Sequence, residues 1–174
     1  PDIHVQHLTG ITTQEAKILA DTRTHVSSTP GADQLIQRCP VPELIDMGVN
    51  VAISTDGTCP SNTFDLVEVA RKTQLVHQAA LRNTYYFPAG KLLEMITIDA
   101  AKAIGWEDEI GSLEVGKKAD IITVDLNQPH LSPNAMALEK WIYMGSGHDV
   151  DHVMVNGKLV MKNRKAVQVD EEVI

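Results

Sequence analysis

Two histidines and an aspartate are the residues of this sequence whose types and positions best suit catalysis. His4 and His7 lie near the start of the chain, and Asp56 follows the apolar run Val49 to Ile53. Each is predicted at or near the C-terminal end of a parallel strand, which is where α/β barrels and open α/β sheets carry their chemistry. Imidazole and carboxylate groups together could bind zinc or iron, or could perform general acid–base catalysis.

Neither the histidine pair nor the aspartate is a specific signal by itself. A lone strand histidine is more often structural. In an extended strand His4 and His7 would face opposite sides, so only one of them could reach a shared site. Asp56 could simply start a turn or cap the next helix, with Gly57 allowing a sharp turn behind its carboxylate. The remaining histidines have no motif context and are interpreted as surface or packing residues.

The elements that must position these residues alternate between strands and helices. The first 57 residues are predicted to run strand, helix, strand, helix, strand, with the strands at Ile3 to Leu8, Thr24 to Ser28 and Val49 to Ile53. Connections of this length imply parallel pairing through right-handed crossovers. Thr12 or Thr13 is expected to cap the first helix, with Glu15 three residues after Thr12 as a capping box requires. Ser28 to Gly31 is predicted to be a turn, and a long helix is expected from Asn62 or Thr63 to about Arg82. The predicted fold class is therefore α/β.

Near residue 108 the alternating strand and helix patterns give way to a β-rich pattern, and we place a boundary between two units there. Residues 1–108 are predicted to form the β/α layer, and residues 109–174 a smaller β-rich module with one helix. The second unit begins with a glycine-punctuated segment that leads into the β-branched run Ile121 to Asp125. Further along, two valine-rich runs flank Asn156-Gly157, which is the strongest short-range signal for a hairpin. A last short strand is predicted around Val167 to Val169.

Composition narrows the classes of partner and compartment. Of the 174 residues 43% are hydrophobic, and a net charge of −8 without a basic cluster argues against nucleic acid as a partner. No apolar run approaches the roughly 20 residues of a bilayer span, so no membrane association is expected. Cys39 and Cys59 are too few for a disulfide framework, which favours the reducing cytoplasm. The chain begins at Pro1 and enters a strand at once, as an internal fragment or a processed chain would.

Several motifs taken together resemble the amidohydrolase superfamily. They are H-x-x-H-L, V-S-S-T-P, G-V-N-V-A-I-S-T-D-G, N-T-F-D-L, I-G-S-L-E-V-G-K-K-A-D-I-I-T-V-D and V-N-G-K. The resemblance covers essentially the whole chain and is closest to the aminohydrolase and chlorohydrolase branch, which includes methylthioadenosine/S-adenosylhomocysteine deaminases and s-triazine hydrolases. It implies the C-terminal part of a (β/α)8 barrel, followed by the C-terminal part of a flanking β-sandwich.

The resemblance also implies roles for the candidate residues. Asp56 matches the aspartate that ends the eighth strand, binds a divalent metal and takes the proton of the attacking water; zinc is the expected metal, with iron as the alternative. His4 matches the sixth-strand histidine, which binds the substrate and polarises its leaving group or the atom under attack. His7 matches a second histidine that is expected at the substrate rather than on the metal. Ser28 stands where the family has a histidine near the end of strand seven.

The resemblance leaves most of the metal site without counterparts. The family's first-strand H-x-H pair and its fifth-strand histidine with a following glutamate do not occur here, so Asp56 is the one expected ligand present. We therefore predict the C-terminal part of a metal-dependent hydrolase, inactive alone, whose whole enzyme breaks a C–N or C–Cl bond of a small heterocyclic substrate.

Such a fragment would need the N-terminal half of its barrel as a partner, and a separately cleaved half that stays bound is one form of this hypothesis. The alternative is a naturally short, non-catalytic half-barrel that acts as a scaffold or assembly partner. Either protein could form a homo-oligomer.

Overall fold

The computed structural model describes residues 3–33, 36–133 and 135–169 of the chain. Helices and strands alternate in the first part, and strands dominate the second. The strands are His4–Gln6 (β1), His25–Ser28 (β2), Val51–Ile53 (β3), Ile121–Val124 (β4), Val150–Val155 (β5), Lys158–Lys162 (β6) and Lys165–Ala166 (β7). The helices are Thr13–Asp21 (α1), Pro30–Asp33 (α2), Val41–Asp46 (α3), Thr58–Ser61 (α4), Leu66–Leu81 (α5), Ala89–Ile96 (α6), Ile98–Ala103 (α7) and Ala137–Met144 (α8).

The first sheet is parallel, as the sequence predicted, and its strand order is β1-β2-β3. Val5, Val26 and Val51 lie side by side across it, and all three pack in or against the main hydrophobic core. Because successive residues of a strand face opposite sides, His4 and its neighbour His25 lie on the other face. The apolar row therefore packs this face of the sheet against the core, while on the other face Ser27 of β2 and Ala52 of β3 are buried as well.

Helix α1 begins at a predicted capping box. Thr12 Oγ1 accepts a hydrogen bond from the Glu15 backbone N–H at 3.3 Å, and the Glu15 carboxylate accepts one from the Thr12 backbone N–H at 2.8 Å. These bonds satisfy donors that a helix start otherwise leaves without partners. The cap fixes where the chain turns from β1 into its crossover to β2.

Two element boundaries near the strand ends differ from the prediction. The predicted turn at 28–31 is instead the beginning of α2, because Pro30 has the backbone geometry of a first helical residue. The long helix α5 begins only at Leu66, since Asp65 acts as its N-cap and accepts a hydrogen bond from the Val67 N–H at 2.9 Å. Residues 58–61 form the separate helix α4.

The core extends beyond the predicted boundary at residue 108. Helix α8 contacts α5 and α6, and its residues Trp141 and Ile142 belong to the same buried cluster as the valines of the parallel sheet. The division into two units at residue 108 stays a prediction. Among the described residues, no helix has the length and apolar character that crossing a membrane requires.

The second sheet is antiparallel, with the order β4-β5-β6-β7. The predicted hairpin is confirmed: Asn156 and Gly157 turn between β5 and β6 with φ of 48° and 76°, as a primed hairpin turn requires. The last strand, predicted around Val167 to Val169, lies instead at Lys165–Ala166. This sheet is tied to the first part by Asp65, whose Oδ2 accepts a hydrogen bond from the Gly147 N–H at 2.7 Å.

Candidate active site

The carboxyl ends of the three parallel strands bring polar side chains to one edge of the sheet. The His7 N–H donates to the Ser27 carbonyl at 3.1 Å, and the Ser54 N–H donates to the Ser28 carbonyl at 2.9 Å. The hydrogen-bond ladder therefore continues one residue past β1 and β3. His7, Thr29 and Asp56 lie where this ladder ends, and together they form the candidate site.

The backbone at two of these residues is left-handed, and this conformation sets the direction of their side chains. His7 has a φ of 71° and Asp56 a φ of 57°, a region that non-glycine residues enter rarely, although His and Asp do so more readily than most. The prediction that Gly57 supplies the sharp turn is wrong, because Gly57 has an ordinary φ of −77°. Asp56 itself makes the turn, and the Ser54 side chain supports it through a 3.2 Å hydrogen bond from the Asp56 N–H.

Asp33, at the end of α2, is a buried carboxylate whose two oxygens are fully used. Its Oδ2 accepts hydrogen bonds from Ser28 Oγ at 3.0 Å and from the Thr29 N–H at 2.9 Å. Its Oδ1 lies 3.0 Å from Thr29 Oγ1 and 2.9 Å from His7 Nδ1. The residue is only 3% exposed. These contacts therefore replace the hydrogen bonds from water that the carboxylate loses when it is buried.

The opposite side of the His7 ring faces Asp56. His7 Nε2 and Asp56 Oδ2 are 3.9 Å apart, and the two side chains are 44% and 35% exposed. This distance is too long for a direct hydrogen bond. Within the part of the chain that the structure describes, no other Lys, Arg or His pairs with the Asp56 carboxylate. Both groups thus remain available to a ligand at the sheet edge.

His4 does not join this group. It is the first residue of β1 and lies opposite His25, so the prediction that it falls at the carboxyl end of its strand is wrong. The strand is short because the left-handed backbone of His7 and Leu8 ends it at Gln6. Among residues 3–33, 36–133 and 135–169, no hydrogen bond or ion pair connects His4 with Asp56. Its role toward a substrate stays a prediction.

The sequence interpretation missed Asp33 and Thr29. A Thr-Pro pair followed by an acidic residue in the next turn is a helix-start pattern, and it could have revealed α2. No local pattern could have revealed the contact with His7, which lies 26 residues earlier in the chain. That contact depends on the crossover between β1 and β2.

The thiol of Cys39 behaves as a packing group rather than a nucleophile. Cys39 is buried in the core. Burial, reinforced by the nearby negative charge of Asp33, raises the pKa of the Cys39 thiol to about 12. A thiol with so high a pKa carries almost no thiolate at neutral pH.

The side chains at this edge fit part of a divalent metal site. A carboxylate and an imidazole nitrogen are both ordinary zinc ligands, and those of Asp56 and His7 face each other. Among the described residues, however, no group of three His, Cys, Asp or Glu side chains could hold a metal ion. Any metal bound here would need ligands beyond those that this part of the chain provides.

An α/β fold with an aspartate at the carboxyl edge of its parallel sheet is typical of several hydrolase families. Comparison with family models identifies one of them: a model described as the amidohydrolase family matches residues 3–160, and the chain belongs to this family. Among its curated relatives is a 5-methylthioadenosine/S-adenosylhomocysteine deaminase from Moorella thermoacetica, which is 39% identical over 170 residues. The match covers 97% of this chain and 40% of that relative, so the chain spans about two fifths of its length.

Solved structures of two enzymes resemble the chain closely. An adenosine deaminase from Xanthomonas campestris with bound zinc superposes with a TM-score of 0.93 at 30% identity, over 98% of this chain and 39% of that protein. An atrazine chlorohydrolase from Arthrobacter aurescens, in complex with zinc, gives a TM-score of 0.88 at 25% identity, over 98% and 38% of the two chains. The predicted resemblance to deaminases and triazine hydrolases is confirmed.

Proposed function

We propose that the whole protein is a metal-dependent hydrolase that removes an amino group or a chlorine from a heterocyclic ring. The chain's relatives include deaminases and a chlorohydrolase. The observation that carries the proposal is the Asp56 carboxylate, which stands at the carboxyl edge of a parallel sheet with a histidine as its neighbour. In this view β1, β2 and β3 are the last three strands of a (β/α)8 barrel, and the antiparallel sheet belongs to its flanking β-sandwich.

Asp56 has two roles in this proposal. It binds a divalent ion, for which zinc is the candidate because the two structural relatives contain it; when bound, such an ion activates water and stabilises negative charge. Asp56 also takes a proton from the attacking water as its oxygen adds to the ring carbon. The C–N or C–Cl bond then breaks. An amino group leaves as ammonia after receiving the proton held by Asp56, whereas chlorine leaves as chloride and the proton passes from Asp56 to solvent.

The two histidines would act on the substrate. We assign His4 to polarising the ring or its leaving group, since it is exposed on the face of the sheet opposite the buried valines. We assign His7 to substrate binding beside Asp56. The remaining metal ligands would come from the N-terminal half of the barrel, and the substrate would be a small heterocycle such as an adenosine derivative.

The test is the variant Asp56→Asn in the full-length protein, assayed for ammonia release from methylthioadenosine, S-adenosylhomocysteine and adenosine. Asn keeps the shape of the side chain but removes both its charge and its basicity, so we expect turnover to fall by at least about a hundredfold. The matched control is Asp46→Asn, an exposed aspartate at the end of α3, which should keep full activity.

Near wild-type turnover by the Asp56→Asn protein would refute the proposal. Absence of activity from the wild-type protein on every deaminase and chlorohydrolase substrate, together with absence of bound metal, would favour the non-catalytic scaffold instead.

A further inference from the structure

The ring of His7 lies between two carboxylates that differ in their surroundings. Asp33 contacts Nδ1 from the buried side, at 2.9 Å. Asp56 faces Nε2 from the open side, at 3.9 Å. One nitrogen is therefore held by the protein, and the other is presented to whatever occupies the edge of the sheet.

The hydrogen bonds around Asp33 decide which nitrogen carries the proton of the neutral ring. An ionised carboxylate can only accept hydrogen bonds, and a threonine hydroxyl has a single hydrogen to donate. Thr29 Oγ1 is 3.0 Å from Asp33 Oδ1 and 2.8 Å from His7 Nδ1. If Nδ1 were bare, its lone pair would face the lone pairs of Asp33 Oδ1. With a hydrogen on Nδ1, every contact in the cluster joins a donor to an acceptor.

We propose that Asp33 is a positioning residue that holds His7 in its Nδ1–H tautomer and so presents a bare Nε2 opposite the Asp56 carboxylate. This inference rests on the proposed function for its chemical meaning, because it concerns the same site. A partner that fixes one ring nitrogen sets the orientation and tautomer of the other, as it does for metal-binding and catalytic histidines generally.

A bare Nε2 beside a carboxylate makes a pair of acceptors 3.9 Å apart. Two acceptors at this spacing cannot bond to each other, but a water molecule or an amino group between them can donate to both at ordinary hydrogen-bond lengths. The pair thus selects for a group with two polar hydrogens, such as the attacking water or the amine of an aminated ring. A chlorine substituent offers no hydrogen to it.

The variant Asp33→Asn would reverse the tautomer. The backbone N–H of Thr29 can only donate, and it faces Asp33 Oδ2 at 2.9 Å. The amide oxygen of Asn must therefore take the place of Oδ2, and its NH2 group must take the place of Oδ1 beside the His7 ring. An NH2 donor there requires a bare Nδ1, which moves the ring proton to Nε2.

The experiment is 15N NMR of the full-length protein with labelled histidine, recorded at increasing pH until the ring signals no longer change, so that the neutral form is observed. His7→Gln assigns the signals. We expect His7 to show protonated Nδ1 and bare Nε2 in the wild type, and the reverse in Asp33→Asn. The wild-type spectrum tests the proposal even if the Asp33 variant does not fold.

A buried aspartate–histidine pair elsewhere gives a matched control. Asp149 is 4% exposed and contacts His130 Nε2 at 3.1 Å, far along the chain from the sheet edge. Asp149→Asn should leave the His7 signals and the turnover number unchanged. Asp33→Asn should lower kcat by about 10- to 100-fold, the usual loss when a residue that orients a functional histidine is replaced.

The outcomes separate this inference from the proposed function. An Nε2–H tautomer of His7 in the wild-type protein, or unchanged kcat in a folded Asp33→Asn protein, would overturn the inference while leaving the role of Asp56 intact. Full activity of Asp56→Asn would overturn the proposed function, and the tautomer measurement would still stand.

Discussion

Two aspartates stand at the same edge of the parallel sheet, and their surroundings make them different chemical groups. Asp33 is buried and surrounded by donors from Ser28, Thr29 and His7. Asp56 is 35% exposed and has only the distant imidazole of His7 as an ion-pair partner among the described residues. A carboxylate whose lone pairs are all used can orient a neighbour but cannot bind a ligand. A carboxylate with free lone pairs can bind one.

His77 is another histidine whose surroundings determine its protonation. It is 1% exposed, and its ring packs edge-on against Phe87 with 5.5 Å between centroids. Arg38 Nη1 lies 3.2 Å from its Nδ1 and also pairs with Glu43. Burial, reinforced by the positive charge of Arg38, lowers the pKa of His77 from 6.5 to about 4.

This depressed pKa predicts a loss of stability in mild acid. Between pH 6.5 and about 4 the unfolded chain binds a proton at His77 that the folded chain does not, so the free energy of unfolding falls as the pH falls through this window. The full loss amounts to about 3 kcal/mol. Urea titrations of wild-type and His77→Phe proteins across this range should show the variant losing less stability.

The control is His148→Gln, since His148 is exposed in the loop before β5. The free energy of unfolding of the His148→Gln protein should change with pH as that of the wild type does. Parallel curves for the His77→Phe and wild-type proteins would contradict the assignment of the acid sensitivity to His77.

Helices α2 and α4 approach each other beside the candidate site, and a glycine permits the contact. A Cβ added to Gly31 would lie 2.7 Å from the Ser61 Cα and 3.3 Å from the Pro60 carbonyl oxygen. Backbone atoms cannot yield as a flexible side chain can. Because α2 ends at Asp33 and α4 begins just after Asp56, this contact sets the spacing between the two aspartates.

The substitution Gly31→Ala should therefore both destabilise the protein and disturb the site. We expect the free energy of unfolding to fall by about 1–3 kcal/mol, the usual cost of overpacking, and the turnover number to fall with it. Gly90→Ala is the control, since Gly90 lies inside α6 with nothing within 4 Å of the added Cβ. Because Gly90 is only the second residue of α6, alanine there should change the free energy of unfolding by less than about 1 kcal/mol. Equal effects of the two substitutions would refute the role of the contact.

The elements that the sequence predicted correctly are those with a local physical cause. The Thr12–Glu15 capping box starts α1, and the Asn156-Gly157 turn closes the hairpin. The prediction failed where tertiary contacts decide. No local pattern requires the left-handed backbone at His7 that shortens β1 and carries its ring toward Asp56. The sequence pattern therefore predicts the wrong end of β1 for His4 and gives no indication of the contact between Asp33 and His7.

Among the described residues, both outer edges of the parallel sheet lack a strand partner, and the edge at β1 lies next to an apolar surface. Strand β1 pairs only with β2, and its other edge has no strand partner among the described residues. Beside it, Val5, Leu8, Ile11 and Ile18 line an open cavity of about 440 Å³. An apolar surface next to a free strand edge promotes self-association unless another segment covers it.

Substitution of Ile18 distinguishes a covered surface from a free one. Ile18 is 54% exposed. If the rest of a barrel covers it, Ile18→Lys should destabilise the full-length protein by about 1.5–3 kcal/mol, the value of burying an isoleucine. The same substitution should reduce association of the 174-residue chain on its own, measured by sedimentation velocity.

Leu75→Lys is the matched control, because Leu75 is 58% exposed on α5. It should change the stability of the full-length protein by less than about 0.5 kcal/mol. If Ile18→Lys destabilises the full-length protein no more than Leu75→Lys does, no other segment covers the apolar surface beside β1.

One carboxylate connects helix α5 with the segment that leads into the second sheet. Asp65 caps the first turn of α5 with one oxygen and holds the Gly147 N–H, just before β5, with the other. Force applied to the C-terminal hairpin would thus pull directly on the helix that follows the Asp56 loop. An antibody bound to that hairpin would therefore load the helix next to the sheet edge that carries Asp56, without touching that edge.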